Sequence, residues 1–284
     1  MNPNKLSFLQ FASPWFFDPG IIRLPSPPEG LSEEEIARRL MDGELAQPYI
    51  LETESERRLH FAQDSVQSVM RLDEPDALIC AYTRKMMAFL LFNPNPQNIV
   101  MVGLGGGSLA KFCYRNLPRT QISVVEIDPR VIALREEFCV PPDDDRFRIV
   151  CDDGARYLAN FQERIDVLMV DAFDSIGLAP TLAATDFYVQ AAGQLSRNGL
   201  LVMNFSGDPE RYALHIKRIR AAFGRSTLLV RVAADDNLVL FALKKRIPLL
   251  TTDQYELRAQ QLQTRLALEF PRYLRRLCQG RVLA

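Results

Sequence analysis

Two aspartates three residues apart, Asp171 and Asp174, close the apolar run Asp166-Val-Leu-Met-Val and lead into a loop. A carboxylate pair at the end of a buried strand can hold a cationic amine and guide one of its protons away. The same spacing also suits one acid capping the loop and the other standing in solvent. Two more acids occupy comparable strand ends. Glu126 lies at the end of Gln121-Ile-Ser-Val-Val, and Asp153 follows Arg146-Phe-Arg-Ile-Val-Cys151 and precedes Gly154. A carboxylate in the first of these places can accept two hydrogen bonds from a vicinal diol such as a ribose. An acid beside a glycine in the second can accept from an adenine amino group, and Asp is equally a favoured helix N-cap. Ahead of all of these, Gly103-Leu-Gly105-Gly106-Gly-Ser108 follows the apolar run Asn98-Ile-Val-Met-Val. Glycines there let the backbone turn tightly and approach a ligand closely. The helix that follows such a loop offers its first N–H groups to polar ligand atoms.

These residues need a scaffold that brings strand ends together. Apolar runs of strand length recur at 98–103, 121–127, 146–151, 166–172, 199–205, 227–233 and 237–243, with helical spacing between most of them. That alternation predicts a mostly parallel seven-stranded sheet covered on both faces. Only Ala234, Asp235 and Asp236 separate the last two runs, so they read as an antiparallel hairpin ending the sheet. The fold class is α/β and Rossmann-like, with the acids and glycines at the carboxyl edge where ligands of such sheets bind. Residues 1–45 read as a Pro-rich N-terminal extension with one short helix, marked by Ser32 and Glu35 as a capping box. Residues 46–74 read as a small β domain. Residues 75–284 read as the catalytic domain, entered by a helix over 75–92 and closed by one over 252–278.

Composition narrows the chemistry. The 284 residues carry a formal charge of −1, which argues against a partner recognised by phosphate neutralisation. No nucleic acid partner is expected. The five cysteines, Cys80, Cys113, Cys139, Cys151 and Cys278, form no CxxC pair and read as reduced thiols of a cytoplasmic protein. With two histidines, His60 and His215, a histidine-rich metal site is not expected. No apolar run approaches the ~18 residues of a membrane span.

Taken together, Gln67, Tyr82, the glycine loop at 103–108, Glu126-Ile-Asp128, Asp153-Gly154 and Asp171-Ala-Phe-Asp174 resemble the polyamine aminopropyltransferases, the spermidine synthase family. Thr185-Asp-Phe-Tyr188 and Asn198-Gly-Leu-Leu-Val202 add to the likeness, which spans roughly 48–245. The resemblance implies a Rossmann-like, S-adenosyl-nucleotide-binding domain, a small N-terminal β domain, and a homodimer or homotetramer. It implies transfer of an aminopropyl group from decarboxylated S-adenosylmethionine, a co-substrate rather than a tightly bound cofactor, to a small amine such as putrescine. By this resemblance Gln67, Gly103, Gly105, Gly106, Glu126, Asp153 and Gly154 bind the donor. Glu126 takes the ribose and Asp153 the adenine. Asp171 is the catalytic acid, Asp174 helps to hold the amine, and Tyr82 stands near it. The chain departs from the family at one telling place. The family loop usually reads GGGDGG, and ungapped alignment puts its acid, which meets the donor's aminopropyl ammonium, on Gly106. Two other functions therefore stay open: a methyltransferase using intact S-adenosylmethionine, and a non-catalytic homologue that binds a nucleoside or polyamine. A nicotinamide dehydrogenase fits less well, because GxGGGS is not GxGxxG.

Overall fold

The computed structural model describes residues 7–45, 47–63, 65–172, 178–206, 209–224, 226–234, 237–244 and 252–279. In chain order, β1 (Phe8–Ala12), β2 (Ile21–Pro25) and α1 (Glu33–Met41) come first. Next are β3 (Tyr49–Glu52), β4 (Glu56–Ala62) and β5 (Ser65–Arg71). Then α2 (Ala81–Met86) runs into a tighter 3-10 turn over Met87–Leu91. An alternating stretch follows: β6 (Asn98–Val102), α3 (Ser108–Asn116), β7 (Gln121–Glu126), α4 (Pro129–Ala133), β8 (Phe147–Cys151), α5 (Gly154–Asn160) and β9 (Ile165–Val170). Beyond it lie α6 (Pro180–Ala183), α7 (Thr185–Gln194), β10 (Leu195–Ser206), α8 (Pro209–Phe223), β11 (Thr227–Val232) and β12 (Asn237–Leu243). The described chain ends with α9 (Thr252–Leu266) and α10 (Phe270–Gln279).

The chain forms two compact units. The smaller holds the described residues up to Ile79 together with Gly105–Phe112 and Asp128–Pro141. Its five strands make an antiparallel sheet in sequence order. Ile22 and Leu24, and Tyr49 and Leu51, alternate onto one face, where they bury with Phe11, Trp15 and the Ile36 and Leu40 stripe of α1. Ser32 caps α1 by accepting from the Glu35 N–H at 3.3 Å. The Glu35 carboxylate instead takes Arg38 and Arg39, at 2.9 and 3.0 Å. The expected boundary at residue 46 cuts this sheet, since β1 and β2 lie within the stretch read as an extension. Each is five residues long and set among prolines, too short for alternation to stand out. Segment 128–141 is tied in by charge: Arg23 pairs with Glu52 and Glu137 at 3.1 and 2.8 Å, and Arg57 with the same acids at 2.5 and 3.3 Å.

The larger unit holds Cys80–Leu104, Cys113–Ile127 and the described residues from Pro142 onward. Its seven strands run in the order β11-β12-β10-β9-β6-β7-β8. β10, β9, β6, β7 and β8 are parallel, and β12 pairs antiparallel with both β10 and β11. This is the α/β sheet with a closing hairpin that the apolar runs predict. β6 is buried at every position and β9 at all but one, which is why both read as unbroken apolar runs. From β6 the chain steps outward through β7 and β8, then returns to β9 on the other side of β6. Such a reversal opens a crevice beyond the carboxyl ends of the two central strands.

Two expected helices differ in detail. Over 75–92 only Ala81–Met86 is α-helical, and the five residues after it are all buried in a tighter turn. The single closing helix is two, α9 and α10. Ala267 takes φ +53°, and the Pro271 ring would collide with the carbonyl of residue 267 in a continuous helix. Among the described residues no helix is long and apolar enough to cross a membrane.

Candidate active site

Val102 and Val170 are register partners on β6 and β9, so the next residues, Gly103 and Asp171, stand side by side. The Asp171 N–H donates to the Val102 carbonyl at 2.9 Å. A side chain at 103 is barred twice. Its φ is +97°, and a β-carbon there would overlap the Asp171 carbonyl oxygen. Sequence alone asks for a glycine here because the loop turns tightly; the structure adds that the loop leaving β9 passes directly over it.

Glu126 ends β7 and is buried, with 9% of its surface exposed. A buried carboxylate must be met by donors. Its Oε2 accepts from the Leu104 N–H at 2.9 Å, so the acid and the glycine loop fix one another. Asp153 is used differently. Its Oδ1 accepts from the Arg156 N–H at 2.9 Å and caps α5, while Oδ2 accepts from the Thr181 hydroxyl at 2.8 Å. Gly154 starts α5 against β6, where a β-carbon would overlap Val102 Cγ1. Asp128 caps α4 through the Arg130 N–H at 2.8 Å.

Asp171 sits in the least ordinary surroundings. Its Oδ1 accepts from Asn204 Nδ2 at 3.0 Å, and Tyr82 on α2 bonds to its carboxylate. Asn204 in turn accepts from Asn237 Nδ2 at 2.9 Å. An ionised carboxylate only accepts, so Asn204 must turn its amide NH₂ toward Asp171 and its oxygen toward Asn237. Both asparagines are buried, at 3% and 5% exposure. Burial raises the Asp171 carboxyl above the ordinary carboxylate range, and the bonds from Asn204 and Tyr82 pull it back only in part. A carboxylate held this way accepts a proton more readily than one in water. Asp174 lies outside the described residues.

Asn204 and Asn237 were not among the residues singled out from sequence. The signal for Asn204 is present, since it interrupts the apolar run Leu200-Leu-Val-Met203 on a central strand. A polar side chain there must have a built partner. Asn237 opens β12 and gives no comparable sign.

The remaining candidates, Gln67, Gly105 and Gly106, fall in the smaller unit. A β-carbon on Gly105 would stand 3.9 Å from the Gln67 carbonyl oxygen, so those two are neighbours. Gly106 is more tightly enclosed. A β-carbon there would lie 2.6 Å from Ser68 Oγ and 3.0 Å from Phe138 Cδ1. Ser68 Oγ is 3.3 Å from Ser108 Oγ, at the start of α3. Lys111, buried in the same helix, donates to the Phe138 carbonyl at 2.7 Å and holds that residue in place. The absence of a side chain at Gly106 is thus enforced by its neighbours.

The spermine/spermidine synthase domain model matches residues 79–223. A polyamine aminopropyltransferase of Chromobacterium violaceum is 36% identical over 224 residues, covering 78% of this chain and 86% of that protein. The chain belongs to the spermine/spermidine synthase family. It is a transferase of that family, and the matched stretch contains Tyr82, Gly103, Gly105, Gly106, Glu126, Asp153, Gly154 and Asp171. A spermidine synthase solved with the transition-state analogue AdoDATO shares the fold at TM-score 0.61 and 19% identity, over 83% of this chain and 85% of that one. Human methyltransferase-like protein 13, solved with SAH, superposes at TM-score 0.60 and 24% identity over 66% of this chain and 93% of that one. At that identity it shows a common fold and nothing about methyl transfer.

Proposed function

We propose that this spermine/spermidine synthase family member transfers an aminopropyl group from decarboxylated S-adenosylmethionine to a small primary amine such as putrescine. The observation that carries the reading is Asp171: a carboxylate at the switch point of the sheet, held by Asn204 and Tyr82 and raised by burial. A primary alkylamine has a solution pKa of ~10.4 and reaches the site mostly as the cation. Asp171 receives that cation, takes its proton and leaves a nitrogen lone pair aimed at the donor. The nitrogen bonds to the methylene next to sulfur, the carbon–sulfur bond breaks, and its electron pair neutralises the sulfonium as methylthioadenosine departs. Sulfur is already a good leaving group, so alignment and exclusion of water are the protein's larger share. Tyr82 stands beside the amine and Asp174 adds a second carboxylate for its far end. Glu126 takes the ribose hydroxyls. Asp153, with Gly154, takes the adenine edge through lone pairs left by its cap and by Thr181. Gln67 and the loop glycines Gly103, Gly105 and Gly106 line the donor.

The family resemblance supports a homodimer or homotetramer, checked by sedimentation. The five cysteines, none in a disulfide, support a reducing, cytoplasmic setting. The test of the reaction is direct. Purified protein is incubated with decarboxylated S-adenosylmethionine and putrescine, and the products are weighed by mass spectrometry. Spermidine and methylthioadenosine in equal amounts are the expected result. Methylated amine from the intact donor, with no transfer from the decarboxylated one, would replace this reading with the methyltransferase one.

A further inference from the structure

Within the larger unit, three polar side chains line up across neighbouring strands. Val170 and Met203 are register partners on β9 and β10, so Asp171 leaves β9 beside Asn204. On the other side of β10, Asn204 faces Val239 of β12. Asn237 stands two residues before Val239 and shares its face of the sheet. It is the diagonal neighbour of Asn204, within reach of an amide side chain. Asn237 Nδ2 donates to Asn204 Oδ1 at 2.9 Å, and Asn204 Nδ2 donates to Asp171 Oδ1 at 3.0 Å. Both asparagines are buried, so each of their polar atoms depends on what the fold sets against it.

The two ends of an asparagine amide have nearly the same shape, so packing does not choose which one faces Asp171. Hydrogen bonding chooses. With its NH₂ toward Asp171, Asn204 favours the carboxylate; with its oxygen there, it would favour the protonated acid. The turned state would also set the Asn204 NH₂ against the Asn237 NH₂. Asn237 therefore holds Asn204 in the first arrangement, and its bond polarises the Asn204 amide into a better donor. Among the described residues, Tyr82 on α2 is the titratable group that meets the Asp171 carboxyl, and no charged side chain acts on it. Gly103, beyond β6, has no side chain to offer.

We infer that Asn237 is a positioning residue for the reaction: its side chain orients the Asn204 amide, and through it keeps Asp171 as the carboxylate that receives the amine's proton. The inference rests on the aminopropyl-transfer reading of Asp171 and adds a residue that acts through Asn204. The proton passes from the amine nitrogen to the Asp171 carboxylate, and neither asparagine gains or loses one.

The experiment uses Asn237→Leu in the full chain, which keeps the bulk and removes the donor. Asn204 can then turn its oxygen to a protonated Asp171, which raises the Asp171 pKa and lowers the carboxylate fraction at any given pH. Two readouts follow it. One is the acid limb of kcat/KM, from methylthioadenosine release with decarboxylated S-adenosylmethionine and putrescine. The other is the titration of the Asp171 carboxyl carbon by NMR, its signal identified as the one lost in Asp171→Asn. Both are expected to move to higher pH by roughly half a unit to one unit. A purely structural asparagine would lower stability and move neither, so an unmoved titration or an unmoved limb overturns the inference. The double variant Asn204→Leu/Asn237→Leu leaves no orphaned amide and is expected to titrate as Asn204→Leu does. A further shift in the double variant would give Asn237 a route other than Asn204 and overturn the inference, and that comparison stands even where Asn237→Leu alone does not fold. A parent without turnover sinks the aminopropyl reading, and the carboxyl titration then decides whether Asn237 governs Asp171.

Discussion

Asp153 and Asp171 stand in two turns at the carboxyl edge of the large sheet, and the fold uses them in opposite ways. At the exit of β8, Asp153 spends its two oxygens on the first turn of α5 and on Thr181. At the exit of β9, Asp171 is half-buried, its carboxyl raised by desolvation and held by two side chains, Asn204 and Tyr82. The residue type is the same, and each stands within two residues of its strand's end. The difference lies in what surrounds the carboxyl: a helix-capping N–H and one hydroxyl make a structural acid, whereas desolvation around two side-chain donors makes one able to exchange a proton. The glycines behind the two turns differ in the same sense. Gly103 meets backbone, the Asp171 carbonyl, while Gly154 meets the side chain of Val102.

The largest expected effect follows from those glycines. Gly103→Ala faces both a left-handed backbone and an immovable carbonyl, and is expected to lose more than ~4 kcal/mol of stability. Gly154→Ala needs only a shift of Val102 and is expected to lose ~1–3 kcal/mol. Urea denaturation of the two variants checks the order; equal losses would show that Gly103 is no more constrained than Gly154. Next is the pH dependence. The Asn204 bond favours the ionised form of Asp171, so Asn204→Leu lets its pKa rise further. The carboxylate fraction at any given pH then falls. The acid limb of kcat/KM, where activity is lost as pH drops, should move to higher pH by roughly one unit. A limb that stays put would detach Asp171 from that limb. The smallest effect belongs to the cap. Asp153→Ala should cost ~1 kcal/mol of stability and Asp153→Asn less than half of that, because asparagine also caps. An Asp153→Asn variant as unstable as Asp153→Ala would mean that charge, not the cap, matters there.

Much of this was legible from the sequence because central parallel strands have no exposed face. β6, β9 and β10 appear as apolar runs, and the acids and glycines punctuate their ends. Less legible were features that depend on distant partners. β1 and β2 become strands only by pairing with one another and with β3, inside a Pro-rich stretch whose local pattern is weak. Nothing near residues 105–112 or 128–141 says that they belong with the small sheet; that follows from Arg23 and Arg57 meeting Glu137, and Lys111 meeting Phe138. Gly106 could be seen as a missing acid, but that Ser68 bars its return required coordinates. Asp174, which spacing offers either as a second acid for a cationic amine or as a solvated one, lies outside the described residues.

Asp171→Asn tests the central claim most directly. The shape is kept and the charge is lost. Burial raises the folded pKa of Asp171 above its unfolded value, so the native state holds that proton more tightly and the ionised form costs stability as pH rises through that window. The variant should therefore be at least as stable as the parent at neutral pH. Its turnover of decarboxylated S-adenosylmethionine with putrescine should fall by at least ~100-fold. Its affinity for methylthioadenosine, measured by calorimetry, should not change. Near-normal turnover with intact affinity would remove Asp171 from the reaction and, with it, the contrast between the two turns.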